Sequence, residues 1–304
     1  MKHADSPPKA LLASVLTAGV CAISAAAILI RMAEAPGITT AFLRATISAA
    51  LMALIARIQL GAGWWRLERR EALTCAWAGV FLGLHFWAWM TSLEYTTVAS
   101  SVLFVTMNPI FVGLLSPLVT GDRISGRLWV GIALAVAGSL IVGFDDLRVG
   151  PSRSLLGNGL ALVGALCGSA YLLAGRRARR TVHLSAYATL TNASAALLLL
   201  PLALLLGAPL DALPAHSWLM FLLLAVFPQL VGHNSLVWAL RHLSPAMVAI
   251  AILAEPIGSG LLAWAIFDEA ITPTKLLGAA VLLSGIFTAS VGPTSPQAPD
   301  APQP

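Results

Sequence analysis

The chain has 304 residues, 58% hydrophobic and 10% charged, with a mean hydropathy of +0.86, too little polar surface for a soluble domain. A net charge of +5 and a pI near 9.6 would suit nucleic acid, but the 18 basic residues lie scattered between apolar runs and build no basic face. They read as topology signals in a bilayer protein, with no nucleic-acid partner.

Met1 to Lys9 is polar and reads as a cytoplasmic N-terminal segment, 1–9. The apolar run Ala10 to Ile30 imitates a secretory signal, but its 21 residues suffice to cross a hydrocarbon core of about 30 Å. It also has a counterpart in the second half of the chain, Ser24 and Ala25 matching Ser169 and Ala170. Nine further spans follow: Ile38 to Ile58, Ala72 to Leu93, Val98 to Val119, Leu128 to Phe144, Leu155 to Gly175, Leu184 to Gly207, Trp218 to Leu240, Pro245 to Phe267 and Lys275 to Val291. The expected fold is therefore all-α and integral to the membrane, with ten transmembrane helices. Short connections rich in Gly, Pro and Asp leave no room for an inserted soluble domain. The tail, 293–304, lacks apolar material to pack and reads as disordered and cytoplasmic.

The spans fall into two fives. Pro109 recurs as Pro256, Gly113 as Gly260, Ile124 as Ile271, Gly131 as Gly278 and Gly138 as Gly285, all at an offset of 147, with Asp122 answered by Glu269. Repeats over 10–145 and 155–292 are expected, and an odd number of spans in each turns the second copy upside down relative to the first. Lys and Arg divide thirteen to four between the two sides, Arg44 left aside, which sets both termini in the cytoplasm. The run Arg176 to Arg180 then reads as a topology anchor.

Within this frame the chain resembles the drug/metabolite transporter superfamily, specifically its EamA-like group. The residues that carry the likeness are GLHFWAW at Gly83 to Trp89, SSVLFVTMNPIF followed by LLSPLVTG and an acid, WVGIALAVAGSLIVG, and the echo LAEPIGSGLLAWAIFDEAIT. The resemblance implies an inner-membrane carrier that exports amino acids, other metabolites or organic cations. It also implies an Arg in the second span and a Glu-Pro in the ninth, here Arg44 and Glu255-Pro256, while Asn108 stands where the first half would repeat the acid.

Glu255 lies midway along its span, where an acidic side chain costs about 2.5 to 3.5 kcal/mol on insertion scales. It reads either as a proton or cation site or as a neutral Glu bonded to a neighbouring helix. Pro109 and Pro256 each remove a backbone donor inside a span and read as kinks, gating or static. Arg44, about 9 Å along its helix, has three options: to snorkel outward, to reach a substrate carboxylate, or to pair with Glu34 or Glu94 near the outer rim. Rim pairing is the expectation. His85 and Trp89 share one face, as do Gln229 and His233; with Asn234, Trp238, Tyr171, Thr106 and Asn108 they are the expected cavity lining for a small-molecule substrate. Gly131, Ala135 and Gly138 face Gly278, Leu282 and Gly285 as a scaffold contact or a homodimer seam.

Other chemistries fit poorly. The six histidines are dispersed, with no H-E-x-x-H, Asp145-Asp146 has no second acidic motif to share a metal with, and no P-loop is present. The three cysteines, Cys21, Cys75 and Cys167, show neither metal nor disulfide spacing. Neither an enzyme nor a cofactor is expected. The competing readings are a uniporter or exchanger, and a structural membrane protein that transports nothing.

Overall fold

The computed structural model describes residues 7–119, 125–143, 151–269 and 271–290. Residues 1–6 of the N-terminal segment, Asp122, Arg123, Ile124, Asp145, Asp146, Arg148 and the tail 293–304 lie outside the described residues. The helices are α1 (Lys9–Ser24), α2 (Ala26–Met32), α3 (Gly37–Leu60), α4 (Arg69–Ser92), α5 (Val98–Val105), α6 (Asn108–Val119), α7 (Gly126–Gly143), α8 (Pro151–Ala178), α9 (Leu184–Leu205) and α10 (Ala215–Leu224). A π-helical stretch, Ala225–His233, leads into α11 (Asn234–Ala239), and α12 (Pro245–Ile252), α13 (Glu255–Phe267) and α14 (Pro273–Ser290) complete the chain. Among the described residues eight stretches are long and apolar enough to cross a membrane, several assembled from consecutive helices, and the apolar parts of α7 and α14 are shorter. Among the described residues there is no strand.

The offset of 147 reads directly onto these bounds. Val98–Val105 maps onto Pro245–Ile252 and Gly126–Gly143 onto Pro273–Ser290, while the starts of α3 and α6 map onto those of α9 and α13. Even the helix caps repeat. The Thr97 hydroxyl accepts from the Ser100 amide at 3.2 Å and the Ser244 hydroxyl from the Met247 amide at 3.3 Å, each satisfying one amide that the first helical turn leaves unpaired.

Packing pairs the halves reciprocally. α5 lies against α13 while α6 lies against α12, and α4 against α8 is answered by α1 and α2 against α10, the π stretch and α11. Around the rim, Trp77, Leu118, Leu197, Leu205, Trp264, Leu276 and Phe287 are exposed, an apolar circumference suited to lipid. Inside, Cys75, Leu82, Phe86, Tyr187 and Leu199 are fully buried in one core. Trp77 and Trp264 are thus outer-surface residues, Trp87 a half-buried one.

The small residues of the last span in each half do meet one another, within the chain. A methyl group on Gly285 would sit 2.5 Å from the Ala135 amide nitrogen, with the Gly131 carbonyl at 2.7 Å. Backbone meets backbone there, so only glycine fits. The stripe that was expected as a scaffold contact or a dimer seam is therefore consumed by α7 and α14, and a homodimer would need another face.

Charged residues collect at the two ends. At one, Arg31 Nη1 meets Glu269 Oε1 at 3.0 Å, Glu34 faces His216 at 3.5 Å, and the Glu94 carboxylate accepts from the Gly37 amide at 2.6 Å. At the other, Arg176 donates to the Leu240 carbonyl and Arg179 to that of Val182. Burial, then the repulsion of Arg241, lowers the Arg179 guanidinium to about 10. Partial burial and the nearby Arg179 and Arg241 charges hold His183 below the ordinary imidazole range. The neutral His183 ring accepts from the Ser185 amide at 3.3 Å and caps α9.

Two measurements check this account. Gly285→Leu should lower stability by about 1–3 kcal/mol or more through overpacking, read as a drop in melting temperature of the purified protein, whereas Gly126→Ala, with open space around it, should leave it unchanged. Because His183 binds its proton less readily folded than unfolded, its stabilising cap is present above about pH 6.5 and lost as pH falls below that value. His183→Asn should flatten that part of the acid loss in a melting-temperature series.

Candidate functional site: a cavity where helices break

Among the described residues three spans contain an interruption of the α-helix, and a fourth contains the π stretch; all four meet at one cavity. The first breaks at Ala25, the fourth at Thr106 and Met107, and the ninth at Leu253 and Ala254. Pro109 and Pro256 account for the later two. Each occupies the second position of a new helix, where a missing N–H leaves no hydrogen bond unmade. The expected kinks are thus full breaks, with the prolines starting the second half-helices. In the eighth span, Pro228 sits within nine residues of π-helix, a geometry that usually marks functional positions.

A cavity of about 40 Å³ lies at these breaks. Ile23 and Ala26 flank it from the first break, Val105, Thr106 and Asn108 from the second, and Ile252 and Glu255 from the third. His85 and Trp89 of α4, His233 of the π stretch and Leu236 of α11 complete the wall. The space admits water but no larger solute.

The starts of the two second half-helices are tied by a matched pair of serines. Ser169 Oγ donates to the Asn108 carbonyl at 3.2 Å, and Ser24 Oγ to that of Glu255 at 3.5 Å, each also bonding its own helix at 2.8 Å. The sequence pairs Ser24 with Ser169 and Asn108 with Glu255; the fold joins the pairs crosswise, each serine serving one broken helix. The Asn108 amide, with its NH2 group turned inward, donates to Ala165 at 2.9 Å and Val105 at 3.0 Å. Thr106 Oγ1 donates to Val102 at 2.8 Å. Both polar side chains are thus tied to backbone beside the cavity.

Aromatic rings occupy the adjoining space. His85 bonds the Gly164 carbonyl through Nδ1 at 2.8 Å, which makes Nδ1 the protonated nitrogen of the neutral ring and leaves Nε2 as an acceptor. Its ring stacks on Trp89 at 5.9 Å and lies 6.2 Å from His233, which meets Phe86 edge to face at 5.6 Å and Tyr171 at 6.3 Å. Tyr171 stacks on Tyr187.

Arg44 overturns the expectation of rim pairing. It is completely buried, its guanidinium lies 4.2 Å above the Phe86 ring, and Nη2 donates to Gln229 Oε1 at 2.9 Å. Glu94 and Glu34 have other partners at the rim. The only acid whose charge reaches Arg44 among the described residues is Glu255. Nε and Nη1 of Arg44, Nε2 of Gln229, and the hydroxyls of Thr40 and Ser48 one turn to either side are buried without a hydrogen-bond partner. Each such group ordinarily costs about 1–3 kcal/mol.

The expected lining is therefore partly assembled. His85, Trp89, Thr106, Asn108, His233 and Glu255 wall the cavity, and Tyr171 and Gln229 stand directly behind it. Asn234 and Trp238 do not contribute. Asn234 turns to the Met52 sulfur at 3.2 Å, and the half-buried Trp238 packs on His242 at 4.8 Å near the chain's Arg-rich end. Both follow His233 by less than two turns, but the change from π to α geometry rotates them off the cavity face. Sequence reasoning missed Phe86, Gly164, Ser169 as a cap, and the π stretch, for which Pro228 was the available signal. Among the described residues no three His, Cys, Asp or Glu side chains are grouped to hold a metal.

Replacing Phe86 by Leu removes the platform under Arg44 and should lower stability by about 2 kcal/mol, the scale of a desolvated cation–π contact. Trp77→Leu on the exposed rim should leave the stability, read from the melting temperature, within about 0.5 kcal/mol of the parent.

Comparisons with known proteins agree with this architecture. The model of the EamA-like transporter family matches residues 8–144 and again 155–291. An uncharacterized transporter of Archaeoglobus fulgidus is 27% identical over 213 residues, covering 69% of this chain and 73% of the relative. The uncharacterized inner membrane transporter YedA of Escherichia coli is 24% identical over 227 residues, covering 73% and 72%. A crystal structure superposes with a TM-score of 0.76 at 19% identity, over 93% of this chain and 98% of its own, a likeness of fold. A membrane protein with apolar helices in two matched repeats, the chain belongs to the EamA-like transporter family.

Proposed function

We propose that the chain is a secondary transporter of the inner membrane that moves a small organic solute by alternating access. Its ten spans form two inverted five-helix repeats, 10–145 and 155–292, with both termini cytoplasmic. His85, Trp89, Thr106, Asn108 and His233 contact the solute, Tyr171 and Gln229 support that wall, and Glu255 binds a coupling proton. Export is the direction implied by the family resemblance. The reading needs no cofactor, and self-association is no part of it.

One observation carries this proposal: interrupted helices from both halves converge on one buried cavity with an acid in its wall. Non-helical backbone at membrane depth is tolerated where it faces protein or lines a cavity, and paired broken helices at a repeat interface are the usual build of a carrier site. The cavity's volume of about 40 Å³ belongs to a closed conformation. Opening requires the half-helices α1, α2, α5, α6, α12 and α13 to swing at their three joints, and the π stretch supplies a fourth hinge.

The experiment is counterflow of radiolabelled amino acids and organic cations in proteoliposomes, with and without a pH gradient. Wild-type protein should exchange at least one probe and respond to the gradient, and Glu255→Gln should lose the pH response. Unchanged pH dependence in that variant would leave a proton-independent uniporter or exchanger. No counterflow of any probe would favour the structural alternative.

A further inference from the structure

Buried donors without acceptors surround Arg44. Its Nε and Nη1 have no partner, nor does Nε2 of Gln229, the side chain that holds Nη2 in place. All three nitrogens only donate. Arg44 and Gln229 are fully buried, and Phe86 closes one face of the guanidinium. Charge tells the same story. Arg44 acts electrostatically on His85, His233 and Glu255, three walls of the cavity, and on Tyr171 behind it. A guanidinium stays protonated through any transport cycle. A cationic solute entering beside it would be repelled, and a neutral one would leave its donors unmatched.

We infer that the solute is an amphipathic organic anion, its carboxylate held by Arg44 and Gln229 and its apolar part against Trp89 and His233. This rests on the carrier reading and narrows it. Glu255 then competes with the solute for one cation. Ionised, it neutralises Arg44 through space; after taking a proton from the open side it leaves Arg44 to the carboxylate. One proton and one carboxylate therefore load together, with no net charge added. The charged or titratable groups facing this pair are His85 on α4, Tyr171 on α8 and His233 on the π stretch. α1 and α5, packed against α13, present Ser24 and uncharged side chains, and Arg31 of α2 is engaged by Glu269.

The test compares three probes that share one ring, phenylacetate, phenylacetamide and phenethylammonium, by equilibrium binding to the purified full-length protein in detergent. Phenylacetate should bind best, and more tightly at pH 5.5 than at 8. Arg44→Gln should weaken it by about tenfold to a hundredfold, the range for a charged hydrogen bond, and Arg44→Lys should restore part of the loss. Glu255→Gln should bind it at least as tightly as wild type and without pH dependence, an outcome that a merely structural Arg44 would not produce. Preference for phenethylammonium, binding of none of the three, or phenylacetate binding indifferent to Arg44→Gln in protein that remains monodisperse would each overturn the inference. Acetate displacing phenylacetate at equal concentration would reduce the site to a general anion hole and overturn it too. Counterflow of phenethylammonium in proteoliposomes would sink the anion while leaving the carrier reading intact.

Discussion

Inside a bilayer a backbone carbonyl has no water to accept from, and the whole architecture answers to that constraint. Unbroken helices meet it alone. Broken ones need other donors: the Asn108 amide, its NH2 group turned inward, reaches the Val105 carbonyl that Pro109 leaves without its helical partner, and Ser24 and Ser169 each tie their own helix to the start of a half-helix in the other repeat. The breaks must therefore lie together, beside helices that carry a serine at the right height. A cavity follows, because half-helices meeting end to end at a centre leave unfilled space between them.

Charge is handled by the same economy of position. Most of the arginines lie near the helix ends, whereas Arg44 is taken into the core with an aromatic face beneath it and an amide beside it. Burying a guanidinium without a closely bonded acid is unfavourable, and the fold meets that penalty only in part. The remaining imbalance sits beside the cavity, next to the one buried acid among the described residues. Strain of this kind tends to gather at functional sites, because the rest of the structure supplies the stability. Here α7 against α14, with backbone in contact at Gly138 and Gly285, provides a rigid flank away from the cavity.

The two repeats have diverged where chemistry is at stake and agree where geometry is. Caps, helix bounds and glycine contacts recur at the offset of 147. By contrast Glu255 faces Asn108, and His233 answers Phe86. Arg44 and His85 of the first half likewise answer to Thr191 and Gly232 of the second, so the two halves bring different ionisable groups to a structurally near-symmetric cavity.

What the amino-acid sequence determined by itself was the local and the periodic: apolar runs long enough to cross a bilayer, the doubled pattern of Pro, Gly and acid, and an acid in a ninth span. These are legible because run length and spacing are properties of contiguous residues. What only the tertiary structure decided was what each polar group meets. Arg44 could be counted along its helix but not given a partner, since Gln229 lies 185 positions away. The π-helical stretch could not be read either, and with it went the facing of Asn234 and Trp238, because one extra residue per turn rotates everything beyond it. The physical reason is common to both. A helix's contents are encoded along the chain, while its rotation and depth are settled by neighbours that the chain reaches only after folding back.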